Sequence, residues 1–128
     1  MIIPLFPEFY SLKLDDKKDY EELIAEFPPV SDITFATLHI WWDLDGKLGL
    51  SSLNSNLVIN YSWPTDPHNS GWSLVGTQLV DKSIEQIFDY LKQKERAQKL
   101  VHVPEFVVKH ISNKDNLVIE EENDYHEY

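Results

Sequence analysis

His39 and Asp43 stand four residues apart, so on a helix they share a face and can present two metal ligands. No third ligand accompanies them, and a histidine partly buried beside Trp42 is the favoured reading. Asp43-Leu44-Asp45-Gly46 has the opening of a calcium loop. Such a loop needs a bidentate glutamate at its twelfth position, which here is Asn54, so the segment reads as a turn. His102 and His110 flank a short segment after Pro104, but a general base needs a nucleophile or acid in reach, and the serines and threonines are scattered. His68 and Asp66 fall in Pro64 to Gly71, which reads as a surface loop. Glu120, Glu121, Glu122, Asp124 and Glu127 surround His126 and read as a solvated, self-repelling tail. Trp41, Trp42, Trp63 and Trp72 can stack on a sugar or base, or serve a core and an interface, and the second use is favoured. Gly-x-Ser-x-Gly, the P-loop, the dinucleotide fingerprint and His-Glu-x-x-His are all absent.

Composition narrows the classes further. The chain has 128 residues, enough for one domain with a buried core. Acids number 22 and bases 11, giving a net charge of −11. A surface that acidic repels phosphate backbones, so no nucleic-acid partner is expected. No cysteine is present, which excludes disulfides, thiolate metal sites and a cysteine nucleophile. No apolar run approaches the roughly 18 residues of a membrane span, so no membrane insertion is expected. Met1 to Pro7 lacks the pattern of a signal peptide, and a cytoplasmic domain is expected.

The elements that must position these residues follow from periodicity. Glu8 to Leu14 alternates as a strand. Asp15 or Asp16 caps a helix whose apolar face is Tyr20, Leu23, Ile24 and Phe27, and Pro28-Pro29 stops it. Ser31 and Asp32 are caps for the next segment, Phe35 to Trp42. As a helix it groups Phe35, Leu38, His39 and Trp42; as a strand it groups Ala36, Leu38, Ile40 and Trp42. The cap and the neighbouring elements favour helix. Asp45-Gly46 marks a turn. Lys47 to Leu53 and Asn56 to Trp63 form a hairpin with Asn54-Ser55 at its turn. Pro64 to Gly71 is a loop and Trp72 to Val75 a short strand. Asp81 caps a helix with Ile84, Ile87, Phe88 and Leu91 on one face, acids early and bases late. Lys99 to Val103 reads as a strand, Pro104 to Ile111 as a short helix and Asn116 to Glu121 as a last strand. The order is β-α-α-β-β-β-α-β-α-β, which implies an α/β (α+β) domain with a mixed sheet and helices on both faces.

That order resembles the GNAT acyltransferase fold. In that fold two neighbouring parallel strands splay apart to hold acyl-coenzyme A, and the loop after the fourth strand cradles its pyrophosphate through backbone N–H groups. The family pattern there is Gln or Arg, two residues, Gly, one residue, then Gly or Ala. The stretch here, Val75-Gly76-Thr77-Gln78-Leu79-Val80-Asp81, has one glycine, two crowding apolar residues and a negative charge where phosphate would sit. The resemblance therefore implies no usual coenzyme A site, and no cofactor is expected.

A further resemblance rests on Ser31-Asp32-Ile33-Thr34-Phe35 with Trp41, on Gly76 through Leu91, on Val103-Pro104-Glu105 with Val107-Val108, and on Asp124-Tyr125-His126-Glu127-Tyr128. These residues resemble the N-terminal half of a bacterial family related to the C-terminal domain of phosphatidylglycerol lysyltransferases. Such proteins resemble two GNAT-like units in tandem, with an acyl-transfer cleft between them and substrate-binding residues largely in the second. The resemblance implies that residues 1–128 form a single first unit. The acidic tail, residues 120–128, would lead toward a second unit, and the first unit would supply one cleft wall without catalysing the reaction. Ser31, Phe35, His39 and Trp42 are the residues expected at the cleft or interface. The partner would be a second unit in cis or a second copy in a homodimer. A stand-alone acyltransferase with an altered phosphate loop and a dimerising interaction module remain open.

Overall fold

The computed structural model describes residues 1–28, 33–35, 37–38, 47–63 and 66–112. Its centre is a hairpin of β2 (Lys47–Leu53) and β3 (Asn56–Trp63), with the bounds its alternating pattern implies. Asn54 and Ser55 take positive φ values of 52° and 68°. Two left-handed residues give the turn a twist that matches the flanking strands, and asparagine tolerates that conformation. On one side β2 pairs with β1 (Tyr10–Ser11), and on the other β3 pairs with β4 (Asp66–Val75). Among the described residues the four strands lie in sequence order, β1-β2-β3-β4, and each strand pair is antiparallel. Leu50 stands opposite Ile59, and Ile59 opposite Ser73.

Four expectations are corrected here. The sheet of the described residues is antiparallel rather than mixed, and parallel pairing is confined to one isolated bridge, Leu5 to Ser52. Residues 66–71 are strand rather than loop; in the sheet of the described residues β4 lies at the edge, where a proline such as Pro67 is tolerated. Lys99 to Val103 is not a strand. It touches β4 through one backbone bond, the Val101 N–H donating to the Trp72 carbonyl at 2.8 Å, and His102 then turns at φ 52°. The first strand is also shorter than its alternation implies. Glu8 N–H closes a turn onto the Leu5 carbonyl, and the chain leaves through a 3-10 turn at Leu14–Asp16.

The helices lie on both sheet faces, as the strand alternation requires. On one face Leu48, Leu50, Leu57, Ile59, Tyr61 and Val75 meet Tyr20 of α1 (Lys17–Ile24), with Ile33, Phe35 and Leu38. Leu23, Ile24 and Phe27 of the anticipated helical face pack around them. On the other face Leu53, Val58 and Leu74 meet Val80, Ile84, Ile87 and Leu91 of α2 (Val80–Gln93) and Val107 of α3 (Glu105–Val108). Full burial of one such aliphatic side chain stabilises by about 1.5–3 kcal/mol.

The stretch from Thr34 to Leu38 is helical where it is described. Leu38 N–H donates to the Thr34 carbonyl at 3.0 Å. Thr37 N–H donates to Thr34 Oγ1 at 3.2 Å, so Thr34 acts as a cap for this turn. The Tyr20 hydroxyl donates to the Ile33 carbonyl at 2.6 Å and ties α1 to it. Burial, and secondarily the neighbouring Tyr61, pushes that hydroxyl well above the ordinary tyrosine value. Among the described residues no helix is long and apolar enough to cross a membrane. The expected last strand Asn116 to Glu121, the acidic tail and the Asp45-Gly46 turn lie outside the described residues.

Two outcomes follow from this packing. Ile87→Ala, at a side chain with no exposure, is expected to lower unfolding free energy by about 2–5 kcal/mol in urea titration. Tyr20 stays protonated in the fold after unfolded tyrosine ionises, near pH of about 10. Its stabilising share is thus complete below that pH and is lost as pH rises above it. Melting midpoints from pH 8 to 11 should show native protein losing its advantage over Tyr20→Phe at the alkaline end, whereas parallel profiles would contradict this.

Candidate functional site

The best-defined polar constellation lies where β4 hands the chain to α2. Gly76 there is buried, with φ +149°, a value side chains rarely adopt. A Cβ on Gly76 would collide with the Asn56 carboxamide. That carboxamide is only 2% exposed and fills the hollow of the loop. Asn56 Oδ1 accepts from Gln78 N–H at 3.1 Å, and Asn56 Nδ2 donates to the Gln78 carbonyl at 2.6 Å and to Ser83 Oγ at 3.0 Å. From the hairpin turn, Asn54 Nδ2 donates to the same Ser83 Oγ and to Gln86 Oε1, each at 2.9 Å. Neutral amides therefore bind the start of β3 to the first turns of α2.

This arrangement bears on phosphate recognition. An anion at this loop would need backbone N–H groups aimed outward. Gln78 N–H is already committed to Asn56. Asp81 stands in the first turn of α2, where its charge suits the helix dipole. Both its carboxylate oxygens accept from Ser112 N–H, at 3.0 and 3.1 Å. The N-cap of α2 is Leu79 rather than Asp81 as anticipated. Leu79 holds a left-handed conformation, φ 43° and ψ 49°, and no side chain caps the helix. Val80 is buried in the core, while Leu79 is 62% exposed.

Of the residues expected at a cleft or interface, Ser31, His39 and Trp42 lie outside the described residues. Phe35 is a core side chain with its ring 6.0 Å from that of Tyr20. Asp43, Trp41, and the side chains of Trp63, Asp66 and His68 are likewise outside. Trp72 packs against the α2 core, and its buried Nε1 has no hydrogen-bond partner among the described residues. His102 lies edge-on to Tyr61, ring centroids 5.6 Å apart, and its carbonyl accepts from Ser73 Oγ at 3.2 Å. His110 Nδ1 is 2.7 Å from the Phe106 carbonyl, a contact within its own turn. Among the described residues no three His, Cys, Asp or Glu side chains converge to hold a metal.

Sequence reasoning missed the asparagine clasp. Its one visible signal is Ser83, a polar residue beside Ile84 and four before Ile87, within the buried stripe of α2. A buried hydroxyl requires partners, and Asn54 and Asn56 supply them. Comparison with known proteins finds no matching family model, no matching curated protein and no matching solved structure.

Two substitutions test the loop. Gly76→Ala is expected to destabilise by about 1–3 kcal/mol through backbone strain and collision. Combining it with Asn56→Ala should give less than the summed loss, since one collision partner is gone, and full additivity in urea unfolding would contradict the clasp. Leu79→Asn relieves the left-handed strain and is expected to raise stability by about 1 kcal/mol in the same assay.

Proposed function

We propose that this chain is a non-catalytic GNAT-like α/β unit that forms one wall of an acceptor cleft and packs on a second unit. The observation that carries the reading is the Asn56 carboxamide filling the loop at Gly76 and Gln78. A loop satisfied by the protein's own amide has no outward donor at Gln78 for a pyrophosphate. The GNAT-like part rests on the sequence resemblance and on a coarser feature, an α/β sheet with helices on both faces. A hairpin leads into β4, α2 crosses the sheet, and the returning chain meets β4 at Trp72.

The second unit is supplied in cis or by another copy of the chain. On the resemblance to lysyltransferase-related proteins, the transferred aminoacyl or acyl group would lie in the cleft between the two units. Ser31, Phe35, His39 and Trp42 belong to the segment assigned to that cleft. In this assignment Phe35 acts from the core, holding the wall against α1. A catalytic reading would instead need acyl-coenzyme A to enter the Gly76 loop.

Thermal unfolding with and without millimolar acetyl-coenzyme A separates these readings. A ligand that binds the native state raises the midpoint saturably. No shift is expected from the folded chain. A saturable rise that Asn56→Ala enhances would overturn the non-catalytic assignment and make the chain an acyltransferase with an altered phosphate loop.

A further inference from the structure

We draw no further inference here: the strongest candidate, the exposed apolar side chain of Leu79 held in a left-handed conformation at the loop between β4 and α2, carries nothing because nothing in the structure shows what covers it.

Discussion

The bonding of Asn56 is the constraint on which the architecture turns. Asn56 is the first residue of β3, and its carboxamide holds both backbone groups of Gln78 as well as Ser83. One side chain thus fixes the exit of β4, the start of α2 and the root of the hairpin. The same position demands glycine at residue 76, because any Cβ would displace the amide. It also accounts for a serine in the apolar stripe of α2. Buried amides are tolerable only when their donors and acceptors are met, and these three hydrogen bonds of Asn56 engage both ends of its amide.

With α2 fixed in this way, the sheet is covered on both faces. β3 is central: Leu57, Ile59 and Tyr61 serve one core and Val58 the other. The outer edge of β2 is closed by the N-terminal segment. Phe6 N–H donates to the Ser52 carbonyl and Ser52 N–H to the Pro4 carbonyl, each at 2.9 Å. Phe6 then meets Tyr90 of α2 at 5.2 Å between ring centroids. Pro4 and Pro7, lacking N–H groups, blunt this border against pairing with another strand. At the β4 border the returning chain approaches closely. A Cβ on Gly71 would lie 2.8 Å from Val101 Cγ2, so glycine there admits the contact.

What the sequence revealed and what it hid have physical causes. The hairpin and α2 were legible because their periods, 2 and 3.6, are carried by their own residues and marked by Asn54 and by early acids and late bases. Residues 66–71 were not legible, since Pro67, Asn69, Ser70 and Gly71 have turn propensities, whereas β4 pairs with β3 at Asp66 and Gly71 across a register irregularity that no local pattern announces. Val101 and Val103 gave Lys99 to Val103 the look of a strand, but a ladder needs repeated backbone pairing, and the contacts described with β4 are one backbone bond at Val101 and the Ser73 hydroxyl on the His102 carbonyl. The clasp joins residues 22 and 27 positions apart, a separation that no local pattern encodes. Of the expected site, only Phe35 falls among described residues, and its role is packing against Tyr20.

The clasp also sets the terms on which any anion could enter. Opening the loop means giving up the three hydrogen bonds of Asn56, each with a net value of about 1 kcal/mol. An opening free energy of about 3 kcal/mol leaves the competent state at roughly one part in a hundred, and apparent affinity falls by the same factor. Asp81 adds repulsion, because its carboxylate sits at the helix start where an anion would otherwise gain from the dipole. Amides do not titrate in the physiological range, so a change of pH does not release Asn56. Phosphate binding at this loop therefore requires a conformational change driven by contacts elsewhere on the ligand. A structural unit needs none, and the same amides then serve it by joining hairpin to helix.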